Sequence, residues 1–349
     1  MHGGIIKVSR IAPHRKTDSH GRYYYYRRQH HGIEHRLPSG DDRPGSFEFL
    51  ERGYLYLVAG AKDVSIAEES WRIQTGLGVP NDFLDRSELA ARFPSMNVAD
   101  IDAAIHAPQD GFIDPNAAVL GFRRKAIRLG VEYLQDKVVD IAVSGGLARQ
   151  VVLESGARIG GDTFVNVAGA WGAEICAMVG MTVPVEPLSR NTFYFDIRGE
   201  VETMPLTKDQ SGIAFRQEGA GFTVGQTDTK LPFGFNWDVN HDLFKTVFWP
   251  ALAHRVPAFE ALQVKRGWSG HYAYNRMDGN TIIGKWIGGL DNFYVATGFT
   301  GAGLQKGPAI GRAMTELLLD GGYQTIDLSR MSYQRVIDGE PLLEIGFSA

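Results

Sequence analysis

Two stretches of this 349-residue chain pass from an apolar strand through a turn of small residues into a helix, and no other feature restricts the fold as much. The first is Phe164-Val165-Asn166-Val167-Ala168-Gly169-Ala170-Trp171, with a helix predicted over 172–179. The second runs Tyr294-Val295-Ala296-Thr297-Gly298-Phe299-Thr300-Gly301-Ala302-Gly303-Leu304-Gln305, with a helix predicted over 308–319. Between them residues 184–280 alternate as strands, for example Thr192-Phe193-Tyr194-Phe195, Ile213-Ala214-Phe215-Arg216 and Phe222-Thr223-Val224-Gly225. This order predicts an α/β (α+β mixed) protein in which an antiparallel sheet is inserted into an α/β domain.

Upstream of the first turn the signals are also regular. Tyr54-Leu55-Tyr56-Leu57-Val58 reads as a buried strand, residues 64–75 as a helix and residues 87–94 as a short helix stopped by Pro94. A longer helix follows Asp114, a predicted N-cap, with Pro115 in its first turn and Gly130 beyond its end. Short strands over 131–134, 138–143, 148–154 and 164–167 are separated by Ser144-Gly145-Gly146 and Ser155-Gly156.

The first 46 residues do not share this regularity. They hold six of the ten histidines, the run Tyr23-Tyr24-Tyr25-Tyr26-Arg27-Arg28, and nine Lys or Arg against four Asp or Glu. Without sustained apolar periodicity they bury little surface, and poor order is expected. Three readings compete with that one: a metal site from His30, His31 and His35, nucleic-acid binding through basic and aromatic residues, and a non-homologous start on a truncated or frame-shifted gene.

The whole chain carries a formal charge of −4, with 44% hydrophobic and 22% charged residues, which suits a small-molecule partner and calls for no nucleic acid or anionic membrane. One cysteine, Cys176, excludes an intramolecular disulfide and a Cys-based zinc site, so a reducing compartment is expected. Neither a transmembrane segment nor a signal peptide is expected, and a cytoplasmic location follows as the expectation.

The two small-residue turns carry the chemistry. A strand that ends in Ala168 and Gly169 admits backbone or a flat ligand at close range, though packing alone also explains such a turn. Gly298, Gly301 and Gly303 lead into a helix whose first N–H groups lack intrahelical partners, which suits an anionic or carbonyl-rich ligand or merely a loop that needs positive φ.

From Phe47 onward the chain resembles the D-amino-acid oxidase/sarcosine oxidase family of FAD-dependent oxidoreductases. The resemblance rests on the Asn166 to Trp171 turn, the Gly298 to Gln305 loop, and the spacing Trp268-Ser269-Gly270-His271-Tyr272-Ala273-Tyr274-Asn275, then Asp278 and Ile282-Ile283-Gly284. Within the family it is most similar to FAD-dependent oxidoreductase-domain proteins linked to complex I assembly and to their bacterial relatives, through Trp249-Pro250-Ala251-Leu252-Ala253-His254-Arg255 and the tail Tyr323-Gln324-Thr325-Ile326-Asp327. The resemblance implies an FAD/NAD(P)-binding three-layer domain, incomplete at its N-terminus, with an interleaved substrate domain. The expected boundaries are 1–46 for the atypical segment, 47–104 and 184–280 for the substrate domain, 105–183 and 281–330 for the FAD-binding domain, and 331–349 for a tail.

The same resemblance implies non-covalent FAD held by Val138, Ala168, Gly169, Trp171, Gly298, Thr300, Gly301, Gly303, Leu304 and Gln305. It implies oxidation of a C–N bond in an amine or amino acid by hydride transfer, with His271, Tyr272, Tyr274 and Lys306 as catalytic candidates and Gln226 and Thr227 on a facing strand. The chain departs from the family in lacking Gly-x-Gly-x-x-Gly, since Met1 to Lys7 offers only His2-Gly3-Gly4-Ile5-Ile6, and exposed sheet edges are the expected consequence. It also lacks an arginine on the His271 strand and has Gln305 where sarcosine-type oxidases carry lysine. The alternative is a non-catalytic assembly or interaction protein, or a truncated product that binds FAD weakly or not at all.

Overall fold

The alternation in the middle of the sequence is the pleat of one eight-stranded sheet. A computed structural model of the chain describes residues 49–226 and 233–343 and the backbone of 5–7. In the large sheet the strands lie in the order Gln263–Asn275, Val185–Asp196, Gly221–Gln226, Ile213–Glu218, Leu206–Lys208, Tyr54–Val58, Ala103–Ala107 and Asp82–Asp85. Every neighbouring pair is antiparallel except Leu206–Lys208 with Tyr54–Val58.

Because side chains alternate across a pleat, the register divides this sheet into two unlike faces. One face presents Phe193, Phe195, Phe215, Phe222, Val224, Leu55 and Leu57, all buried, against Phe248, Leu252, Val256 and Phe259 from the helical stretch that follows. Each such ring or branched side chain contributes about 1.5–3 kcal/mol when fully buried. The other face carries Tyr272 and Tyr274, Arg190, Ala214, Lys208, Tyr54 and Tyr56, all half-buried.

The two strand-turn-helix units form the second layer system. Phe164–Asn166 pairs in parallel with Phe293–Thr297, which pairs antiparallel with Ile282–Lys285. The helices Gly172–Met178 and Gly303–Leu319 follow the two parallel strands. A separate antiparallel sheet joins Val138–Ser144, Leu147–Leu153 and Arg158–Gly160, and the backbone of Ile5–Lys7 pairs antiparallel with Glu132–Leu134. Among the described residues Phe164–Asn166 is the edge of its sheet, with Val165 39% and Val167 59% exposed. The helix Pro115–Arg128, capped by Asp114 through the N–H groups of Asn116 and Ala117, likewise exposes Val119, Phe122 and Ile127. Among the described residues an open edge and uncovered apolar surface are therefore present.

One predicted boundary is off by more than a helical turn. The last long helix begins at Gly303 and not at Pro308, which lies inside it. The glycine loop winds straight into helical turns, with the Lys306 N–H donating to the Ala302 carbonyl at 3.1 Å, and Pro308 only withholds the N–H that Leu304 would have accepted. The expectations for the histidine-rich segment, including His30, His31 and His35, fall outside the described residues, as does Thr227. No helix among the described residues is long and apolar enough to cross a membrane.

Candidate functional site

The first small-residue turn is held by one buried amide. Asn166, 4% exposed, donates from Nδ2 to the Gly172 carbonyl at 2.8 Å and to the Cys176 sulfur at 3.2 Å, while its Oδ1 accepts from the Ala168 N–H at 3.1 Å. The side chain thus closes the turn over Ala168, Gly169 and Trp171. Cys176 is fully buried, and burial pushes its thiol up to about 11, so it is a packing residue. Gly169 has φ 55° and open space where a Cβ would project. Gly172 touches the second unit, since a Cβ there would fall 2.6 Å from Thr297 Oγ1.

The second turn is bound to the edge of the large sheet. The Thr300 N–H donates to the Ala273 carbonyl at 3.0 Å, and the Asn275 N–H donates to Thr300 Oγ1 at 3.1 Å. Three residues of the loop have positive φ: Gly298 at 73°, Thr300 at 48° and Gly301 at 90°. At Gly301 the lack of a side chain is required twice, because a Cβ would also fall 2.8 Å from the Tyr272 ring. The helix that starts at Gly303 has no side-chain cap, which leaves its first N–H groups available to a ligand. Leu304 and Gln305 are exposed in this first turn, and Gln305 lies beside Tyr54 on the Tyr272 face of the large sheet.

This arrangement brings together Gly298, Thr300, Gly301, Gln305, Tyr54 and Tyr272. It does not include His271. The period-2 alternation turns His271 to the opposite face from Tyr272 and Tyr274, beside Ser189. There its Nε2 accepts the Asn236 N–H at 2.8 Å and its ring meets Trp237 at 4.3 Å and Phe235 at 5.1 Å. Burial lowers its pKa, so the ring is neutral at neutral pH. Trp171 stacks on Phe235 at 4.8 Å, so this aromatic group ties the first turn to the sheet.

The Tyr274 ring lies 5.5 Å from that of Phe233. Lys306 is half-buried in the first turn of its helix. Gln226 donates to the Ser211 carbonyl at 3.3 Å. Val138 starts its strand opposite Leu153 and packs on the core around Cys176 and Val295. Tyr54, Arg190 and Lys208 share the face of Tyr272 and are not singled out by the sequence. Their only sequence signal is strand alternation, which does not say which strands become neighbours.

Comparison with known proteins agrees with this geometry. The DAO family profile, described as FAD dependent oxidoreductase, matches residues 5–317, a span that starts well before Phe47. The FAD-dependent oxidoreductase domain-containing protein 1 of Xenopus laevis is 34% identical, over 89% of this chain and 69% of its own length. The mitochondrial sarcosine dehydrogenase of Mus musculus is 23% identical, over 78% of this chain and 31% of its own. Among solved structures, the L-proline dehydrogenase of P. horikoshii superposes with a TM-score of 0.78 at 25% identity, covering 85% of this chain and 79% of that one.

FAD is the cofactor of this family, and the ring end of the candidate site fits it. Open space where a Cβ would project at Gly169 and an uncapped helix start at Gly303 suit a flat, carbonyl-bearing ring, whereas Gly298 and Gly301 make room for Asn275, Asn280, Val185 and Tyr272 of the chain itself. Fold, turns and comparisons converge: the chain belongs to the DAO family of FAD-dependent oxidoreductases.

Proposed function

We propose that the protein oxidises the C–N bond of an amine or amino acid. The observation that carries this reading is the docking of the Gly298–Gly303 loop onto the Gln263–Asn275 strand, which sets Tyr272 and Gln305 on one cleft. FAD, when bound, supplies the acceptor for the hydride that leaves the carbon next to nitrogen.

The chain's own residues position and enclose the substrate. Tyr54 and Tyr272 wall the cleft, and Gln305, beside Tyr54, offers a neutral amide where sarcosine-type oxidases carry lysine. An amine that binds in its neutral form needs no protein base before oxidation. Lys306, next to Gln305 in the chain, and Tyr274, on the same strand face as Tyr272, shape the approach, and water then hydrolyses the imine product.

The test is a titration of the purified protein with FAD, followed by anaerobic addition of amines and amino acids. Flavin uptake and loss of its visible absorbance with one of them is the expected result. Uptake of FAD with no loss of absorbance across both substrate classes refutes the assignment.

A second reading is favoured by one specific pair of observations. The sequence before Phe47 has no Gly-x-Gly-x-x-Gly, and Phe164–Asn166 is an open parallel edge among the described residues. A non-catalytic relative that holds FAD weakly would show both, and an unchanged melting midpoint in saturating FAD supports it.

A further inference from the structure

Two cations on the Tyr272 face of the large sheet have no anionic partner among the described residues, and they flank a floor almost free of side chains. The Arg190 guanidinium lies over Gly225, where a Cβ would fall 2.8 Å from Nη2 and 2.9 Å from Cζ. Its Nε is buried without a hydrogen-bond partner, and its Cζ is 5.7 Å from the centre of the Tyr272 ring. Tyr272 is the residue packed against Gly301, so Arg190 stands beside the glycine loop.

Across the sheet the register runs from Gly225 to Ala214 and from Ala214 to Lys208. Lys208 Nζ lies 5.8 Å from the Tyr56 ring centre. Burial first, and then the charge of Arg190, lower the Lys208 pKa to about 8. Neighbouring cations are matched: Arg216 pairs with Glu218, and Arg276 with Glu186 at 3.2 Å. Arg190 and Lys208 form no ion pair among the described residues.

Two like charges held together without compensation oppose folding, and a bound anion reverses that cost. The strands of Gly225 and Lys208 are two strand spacings apart, about 10 Å. A single carboxylate on the guanidinium fork therefore leaves room for a second anionic group at the lysine.

We propose that Arg190 and Lys208 select an amine substrate that carries two carboxylates, Arg190 taking the one beside Tyr272 and Lys208 the other. The proposal rests on reading this face as the substrate side of the cleft.

Calorimetric titration of the full chain with glutarate and with butyrate at neutral pH tests it, independently of turnover. Glutarate is expected to bind about tenfold or more tightly than butyrate, and Lys208→Met to remove that advantage while leaving butyrate unchanged. Arg190→Met is expected to weaken both probes, and Lys208→Arg, which keeps the charge, to retain the preference for glutarate. Melting curves of each variant confirm folding, and Lys208→Arg guards against a variant that simply fails to fold. Equal affinity for the two probes in the native chain, or an undiminished glutarate preference in Lys208→Met, overturns the proposal. A parallel FAD titration separates the two ideas. Glutarate selectivity without flavin uptake supports the subsite and sinks the oxidation reading, whereas flavin uptake without selectivity overturns the subsite alone.

Discussion

Replacing Arg255 with methionine removes the cation that locks the strand carrying Lys208. The Arg255 side chain is 1% exposed at the end of the helix Trp249–Arg255. Its Nε donates to Asp209 Oδ2 at 2.5 Å, its Nη1 and Nη2 donate to the two Asp100 oxygens at 2.9 and 3.0 Å, and Nη1 also donates to the Asn97 carbonyl. Asp209, 4% exposed at the side chain, directly follows Lys208 and accepts the Ser211 N–H, so the clamp fixes the turn between two strands of the cleft face. Deleting one member of a buried pair leaves the other charge uncompensated and costs about 3–5 kcal/mol. With an unfolding entropy of about 2.1 cal/mol/K per residue over the 349-residue chain, that loss lowers the melting midpoint by about 4–7 °C. Calorimetry reads the midpoint and urea denaturation the free energy. Arg255→Met combined with Asp209→Leu should recover part of the loss, because the fully buried carboxylate is then removed with its partner, and half-buried Asp100 keeps its contact with His254. The acid limb supplies a second check. The Arg255 guanidinium holds the Asp100 carboxyl well below the usual carboxylate range. Asp100 therefore adds stability that is complete above its unfolded value of about 3.9 and is lost as pH falls through the lowered folded value. Arg255→Met should flatten that limb. A midpoint drop under about 1 °C, or an unchanged acid limb, refutes the reasoning.

Other perturbations have equally direct outcomes. Gly301→Ala places a methyl against Tyr272 in a backbone held at φ 90°, and should weaken FAD binding about tenfold or more in a titration followed by flavin absorbance. Lys208 has a folded pKa lowered to about 8, below an unfolded value of about 10.4, so the unfolded chain holds the extra proton between them and stability rises with pH across that window. Lys208→Met should remove the rise, as seen in urea denaturation on either side of the window. Cys176, fully buried with its thiol pushed up to about 11, should resist a thiol reagent in the folded protein and react once urea unfolds it.

The parts of this site written in consecutive residues were open to sequence reading, and the parts made by strand pairing were not. Ala168-Gly169 and Gly298 to Gly303 announce themselves because a backbone turn at positive φ selects small residues locally. The strand alternation also placed Tyr272 and Tyr274 on a common face, and by the same rule put His271 on the other, which a list of polar residues along that strand hides. Arg190 and Lys208 lie on strands consecutive in the chain but separated in the sheet by two later strands, and Tyr54 comes from a strand far upstream, so they share a face only through the order in which the large sheet pairs. The start of the last helix is not legible in the sequence because glycines, poor helix formers in isolation, enter it under the constraint of the loop bound to Ala273, while Pro308 suits a helix's first turn.

The two ends of the cofactor should report separately on this chain. At the ring end the loop is preorganised by protein contacts alone: Thr300 bonds Ala273 and Asn275, and Gly301 fits against Tyr272. The pyrophosphate end is normally held by glycine backbone at a helix start, and the sequence before Phe47 contains no such motif. If the ring end does the binding, riboflavin, which has the ring and no pyrophosphate, should bind within about tenfold of FAD, a difference of about 1.4 kcal/mol. Gly301→Ala should then weaken both flavins alike, since both lose the same contact. Competition between the two flavins, read by fluorescence of the free species, gives the ratio. An FAD preference beyond about a thousandfold, or about 4 kcal/mol, means that residues of this chain grip the pyrophosphate despite the missing motif, and refutes the argument that the ring loop carries the affinity.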